Sequence, residues 1–117
     1  MQKDSVKILC EKFKIMLPPD FWDKMEIYTQ LLIRDNDAAG LLAPQEMEIL
    51  WERHILDSLS LMLFQKTSPE ATYLDFGSGA GLPGIVLACA MPEAKFILAE
   101  SISKKAAFLQ LAIKALE

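Results

Sequence analysis

The chain has 117 residues, 52% of them hydrophobic, and a formal net charge of −4. That length suits one modest domain, and the apolar share excludes wholesale disorder. The acidic balance counts against an ordinary nucleic-acid-binding domain, whose surface is basic, and no apolar run reaches the roughly 18 residues of a membrane-spanning helix.

Val6, Leu9, Phe13 and Met16 recur at helical spacing from Ser5 to Met16, with lysines opposite, and predict a short amphipathic helix. "LPPD" (17–20) ends it, and Asp20 is placed to cap the next helix. Phe21, Met25, Tyr28 and Leu32 form a second stripe, which stops at "RDNDAAG" (34–40), a turn-like polar stretch closed by Gly40. A third helix starts near Pro44, with Met47, Leu50, Trp51, His54, Ser58 and Met62 on one face, and runs to about Phe64. "QKTSPEA" (65–71) reads as a linker.

At Thr72 the pattern changes. "TYLDF" is a short strand, and Leu82–Ala90 is a helix with Pro83 in its first turn. "MPEA" (91–94) is a turn and "KFILAE" (95–100) a second buried strand. Ser103–Leu116 is a last helix, with Ala106, Ala107, Leu109, Leu111, Ile113 and Leu116 apolar. This β-α-β-α order predicts parallel strands joined by a right-handed crossover. Two parallel strands are not a core, because such sheets bury both faces and normally have five or more strands. The fold expected is therefore α/β with an incomplete sheet. Residues 1–66 form an N-terminal helical extension and 67–117 the first part of a larger α/β domain, and a fragment is favoured over a chain completed by another. Cys10 and Cys89 lie far apart and His54 is the single histidine, which predicts two reduced, buried thiols and no metal site. The charged N-terminus does not resemble a signal peptide, so a cytoplasmic setting with no membrane association is expected.

Four of the five glycines fall within Asp75–Gly84, "DFGSGAGLPG". A glycine loop between a strand and a helix turns backbone N–H groups outward, where something can approach closely. Glu100, 21 positions after Gly79, ends the second strand where such folds place an acid for ribose hydroxyls. From Gly79 the loop fits G-x-G-x-x-G, a weak dinucleotide fingerprint; from Asp75 it fits D-x-G-x-G-x-G, the first motif of S-adenosylmethionine (SAM)-dependent methyltransferases. Asp75 favours SAM, whose amino and sulfonium groups are cationic, over a pyrophosphate. Gly84 suits close helix–strand packing. In "WERHILDSL" (51–59), Arg53 and Asp57 have i,i+4 spacing for an ion pair, and His54 lies on the apolar stripe as a hydrogen-bonded core residue.

Arg53-His54-Ile55 with Asp57-Ser58, the loop with Leu82-Pro83-Gly84, and Lys104-Lys105 before Phe108-Leu109 together resemble the bacterial 16S rRNA guanine-N7 methyltransferase family, also called glucose-inhibited division protein B. The match is dense over about residues 50 to 110. It implies a class I SAM-dependent methyltransferase (Rossmann-like) fold with a helical extension, SAM as cofactor, and 16S rRNA of the small ribosomal subunit as partner. It places Gly77 and Leu82 in the cofactor site, with Glu100, Ser101 and Ile102 on the ribose and adenine side. With the loop positions Asp75, Ser78, Gly79 and Gly81, these complete the expected cofactor set. Arg53, His54, Asp57 and Ser58 become candidate substrate contacts. No general base is expected, since guanine N7 has a free lone pair. Family members run well beyond 117 residues, and residues 35–45, "DNDAAGLLAPQ", stand where many carry a shorter Asn-Leu-Thr-like stretch. The isolated chain is expected to have little or no methyltransferase activity. The alternatives are a dinucleotide-binding oxidoreductase fragment and a non-catalytic interaction module.

Overall fold

The computed structural model describes residues 2–64 and 70–117. The elements are α1 (Gln2–Lys12), α2 (Phe21–Ala39), α3 (Pro44–Glu48), a π-helical segment (Leu50–Ile55) running into α4 (Leu56–Phe64), β1 (Thr72–Phe76), α5 (Gly84–Ala90), β2 (Lys95–Ala99) and α6 (Ser103–Leu116). β1 and β2 pair in parallel, from Thr72 opposite Lys95 to Phe76 opposite Ala99, as the β-α-β-α pattern predicts. The expected boundary between 66 and 67, and most of the expected linker, lie outside the described residues.

The helices pack across the chain. α2 rests on α5 and α6, α4 on α5, and α5 on β2. Among the described residues one cluster of buried side chains results, joining Val6, Phe21, Met25, Tyr28, Leu32, Ile55 and Leu59 to Ile85, Val86, Phe108 and Leu109. The α2 stripe is buried along its whole predicted length. Cys10 and Cys89 are free and buried, and burial raises both thiols, Cys89 to about 11.

Several local expectations are corrected. α1 stops at Lys12, before Phe13 and Met16, which are exposed; the chain turns out of the helix with Lys14 at φ +56. Asp20 makes no side-chain cap bond to α2; its carboxylate lies 3.5 Å from Lys24. The polar stretch 34–39 is helix, not turn. Gly40, at φ +64, donates to the Asn36 carbonyl (2.8 Å), while the Asn36 side chain bonds both backbone groups of Leu42 at 2.7 and 2.9 Å. Polar residues there form an exposed face and a C-terminal stop.

The third helix is not one α-helix. Between Glu48 and Leu56 it rewinds into the π segment, whose buried residues, Leu50 and Ile55, are five positions apart. That wider period moves the buried face off the line through Trp51 and His54. Leu82 and Pro83, joined by a cis peptide, precede α5 instead of opening it. In α6 the buried side chains are Phe108, Leu109, Ala112 and Leu116, and Leu111 and Ile113 are exposed.

One face of the sheet is bare: Leu74, Phe76 and Ile97 are 56%, 80% and 45% exposed. Among the described residues no helix is long and apolar enough to cross a membrane, and no group of three His, Cys, Asp or Glu side chains is placed to hold a metal ion.

Candidate functional site

The loop leaves β1 still bonded to the end of β2. The Gly77 and Ser78 N–H groups both donate to the Ala99 carbonyl, at 2.7 and 3.2 Å. The loop then closes on itself: Ser78 Oγ donates to the Asp75 carbonyl (3.0 Å) and the Gly81 N–H to the Ser78 carbonyl (2.7 Å). Gly77, Gly79 and Gly81 have φ of +67, +54 and +96, a region in which other L-residues are strained.

The four glycines differ in what surrounds them. A Cβ on Gly77 would meet nothing within 4 Å, and one on Gly79 nothing closer than 3.9 Å. A Cβ on Gly81 would lie 2.5 Å from Ile85 Cδ1 and 3.3 Å from Leu109 Cδ2; one on Gly84 would lie 2.6 Å from Asp75 Oδ2 and 3.1 Å from Leu98 Cγ. Gly77 and Gly79 thus leave open space beside bare backbone, but their N–H groups are bonded to Ala99 and Glu100 and so are not turned outward, contrary to what the loop pattern predicts. Gly81 makes room for the interior, and Gly84 allows α5 to close on the strands, as its position in the motif predicts.

Both carboxylates bind the loop backbone. Asp75 Oδ2 accepts from the Gly84 N–H (3.1 Å), at the first turn of α5. Glu100 Oε1 accepts from the Gly79 N–H (2.8 Å) and Oε2 from the Ile102 N–H (3.0 Å). Glu100 therefore ties the loop to the segment after β2 and brings Ser101 and Ile102 beside it. The Ile102 and Gly79 N–H groups hold the Glu100 carboxyl below the usual carboxylate range, with Lys105 adding to the effect. Leu82 is half-buried against the core.

The upstream residues are arranged differently. Arg53 and Asp57 are exposed, and no ion pair joins them among the described residues. Ser58, buried, donates to the His54 carbonyl (2.7 Å). His54 Nε2 is buried without a hydrogen-bond partner, 3.7 Å from Glu46 Oε2, so the hydrogen-bonded core histidine expected from the stripe is not realised at that nitrogen. The π segment packs on α1, whereas α4 packs on α5, so Ser58 sits on the helix nearer the loop.

Tyr28 was legible only as part of an apolar stripe. Its hydroxyl, from α2, donates to the Ala80 carbonyl inside the loop at 2.6 Å. Nothing in the sequence pairs positions 28 and 80.

These features define a mixed α/β chain built on a parallel β–loop–α–β unit, with an open glycine backbone and a carboxylate at the end of the second strand. The family model for rRNA small subunit methyltransferase G (GidB) matches residues 22–117, and the chain belongs to that family. Among curated relatives, the "Ribosomal RNA small subunit methyltransferase G" of Moorella thermoacetica is 40% identical over 102 residues, covering 87% of this chain and 42% of the relative. The proteins of the same name from Bradyrhizobium sp. (strain ORS 278) and Salinispora arenicola are 46% and 39% identical, over 78% and 83% of this chain and 41% and 40% of theirs. The chain thus spans about two fifths of the length of the relatives it matches.

Proposed function

We propose that this chain carries the cofactor-loop part of a class I, SAM-dependent methyltransferase that methylates N7 of a guanine in 16S rRNA, working in the cytoplasm on the small ribosomal subunit. The observation that carries the proposal is the outward face of the loop. Gly77 and Gly79 leave backbone with open space over it, beside Glu100, in a chain of the rRNA methyltransferase G family. The donor set suits SAM. Asp75 brings negative charge to the strand end, where a cationic amino acid part is favoured and a pyrophosphate is not. The family membership likewise favours SAM over the dinucleotide alternative.

When bound, SAM supplies a methyl group made electrophilic by its sulfonium. The protein's part is positioning and exclusion of water. Gly77, Ser78, Gly79 and Gly81 shape the backbone cradle, Leu82 gives it an apolar wall, and Glu100, Ser101 and Ile102 form the side for ribose and adenine. Because guanine N7 carries a lone pair, no residue of this chain needs to remove a proton. Of the four upstream residues, the exposed Arg53 and Asp57 are proposed to face the RNA side, and the buried Ser58 and half-buried His54 to support that helix from within. Turnover is assigned to the longer proteins of this family, so binding is the property to measure on this chain. Calorimetric titration with SAM should show saturable binding, and Gly77→Trp should weaken it by about tenfold or more. Absent heat from the unaltered chain, or equal affinity in the variant, would sink the proposal.

A further inference from the structure

The Ala80–Gly81 peptide unit is held at both ends. Its N–H donates to the Ser78 carbonyl at 2.7 Å. Its carbonyl accepts from Tyr28, 52 positions earlier, at 2.6 Å. Neither backbone donor in helical register with this carbonyl is free as α5 begins: Pro83, three positions on, has no N–H, and the Gly84 N–H, four positions on, is committed to Asp75. Tyr28 is fully buried and Ala80 is 5% exposed, so water is a poor substitute. A buried carbonyl left without a donor is costly, and its least expensive escape is rotation of the peptide plane. Rotation there alters φ at Gly81 and ψ at Ala80, the neighbour of Gly79, whose N–H is bonded to Glu100.

Resting on the SAM proposal above, we infer that Tyr28 is a positioning residue for the cofactor loop: from the N-terminal helical layer it holds the Ala80 carbonyl inward and so keeps the space beside the Gly77–Gly79 backbone open. Burial raises the phenol far above the usual tyrosine range, so it remains a donor across the accessible pH range. The helical extension is then a working part of the cofactor site.

Tyr28→Phe removes only the hydroxyl. Amide hydrogen exchange in the full 117-residue chain should show Gly79 and Gly81 exchanging about tenfold faster in Y28F, with α2 and α6 amides changing less, and SAM affinity should fall by a similar factor. Leu32→Val, a core change on the same helix, should shift exchange across the core with no preference for the loop. A uniform change in Y28F, matching that of L32V, overturns the inference. If the unaltered chain binds no SAM, the cofactor proposal falls, while loop-selective exchange still supports the role of Tyr28 as the holder of the loop. Should Y28F not fold, the unaltered chain decides: a slowly exchanging Tyr28 hydroxyl proton with a nuclear Overhauser contact to Gly81 supports the bond, and rapid exchange with water overturns it.

Discussion

At the scale of single residues, glycine serves two physical ends within eight positions. Gly81 pairs a positive φ with a crowded interior, where a Cβ would fall 2.5 Å from Ile85. Gly77 has a positive φ and open space. Alanine at 77 should therefore cost only backbone strain, about 1–2 kcal/mol. Alanine at 81 adds overpacking and should cost about 2–5 kcal/mol in total. Urea denaturation of both variants reads the difference directly; equal losses would show that the loop interior yields easily and that Gly81 is not pressed against Ile85 and Leu109.

At the scale of elements, α5 begins where Asp75 accepts the Gly84 N–H. The same carboxylate is assigned the charge that favours SAM. Asparagine and alanine separate the two roles. Asp75→Asn keeps an oxygen for Gly84 and should change stability by no more than about 0.5–1 kcal/mol, while weakening SAM binding because the charge is gone. Asp75→Ala loses both, and should destabilise the fold by about 1–2 kcal/mol as well. Wild-type SAM affinity in D75N would remove Asp75 from the cofactor side. Elements were legible in the sequence where one local pattern sets them. β1 and α6 have the predicted bounds, and the Phe21–Leu32 stripe is buried as its spacing requires. The end of α2 is not legible, because Asn36 and Asp37 are residues common in turns. Asn36 acts instead by bonding Leu42 from within the helix. The π segment was not legible because its buried residues step by five, which is neither a helical nor a strand period; the segment packs on α1. The glycine loop was legible as a loop and the Glu100 position as its neighbour. The Tyr28–Ala80 bond was not, since it depends on how two distant elements meet.

At the scale of the whole molecule, the sheet has helices on one face and exposed apolar side chains on the other. Leu74 and Phe76 alternate with Tyr73 and Asp75, which lie on the helix side, and Ile97 stands opposite Leu74. Contiguous apolar exposure of this kind is uncommon on a free surface. In this chain Phe76 contributes little burial, since it is 80% exposed. Phe76→Lys should therefore change stability by less than about 1 kcal/mol, chiefly through strand propensity, and should lower binding of an apolar dye. Phe108→Ala, within the buried cluster, should by contrast cost about 3–5 kcal/mol. A loss of that size in F76K would mean that the face is covered in solution. Stability would then rise with protein concentration, because self-association adds burial that a single chain does not have. Denaturation of F76K and the unaltered chain at two concentrations distinguishes the cases: a small, concentration-independent change fits a bare sheet face, and a large, concentration-dependent one fits a second copy seated upon it.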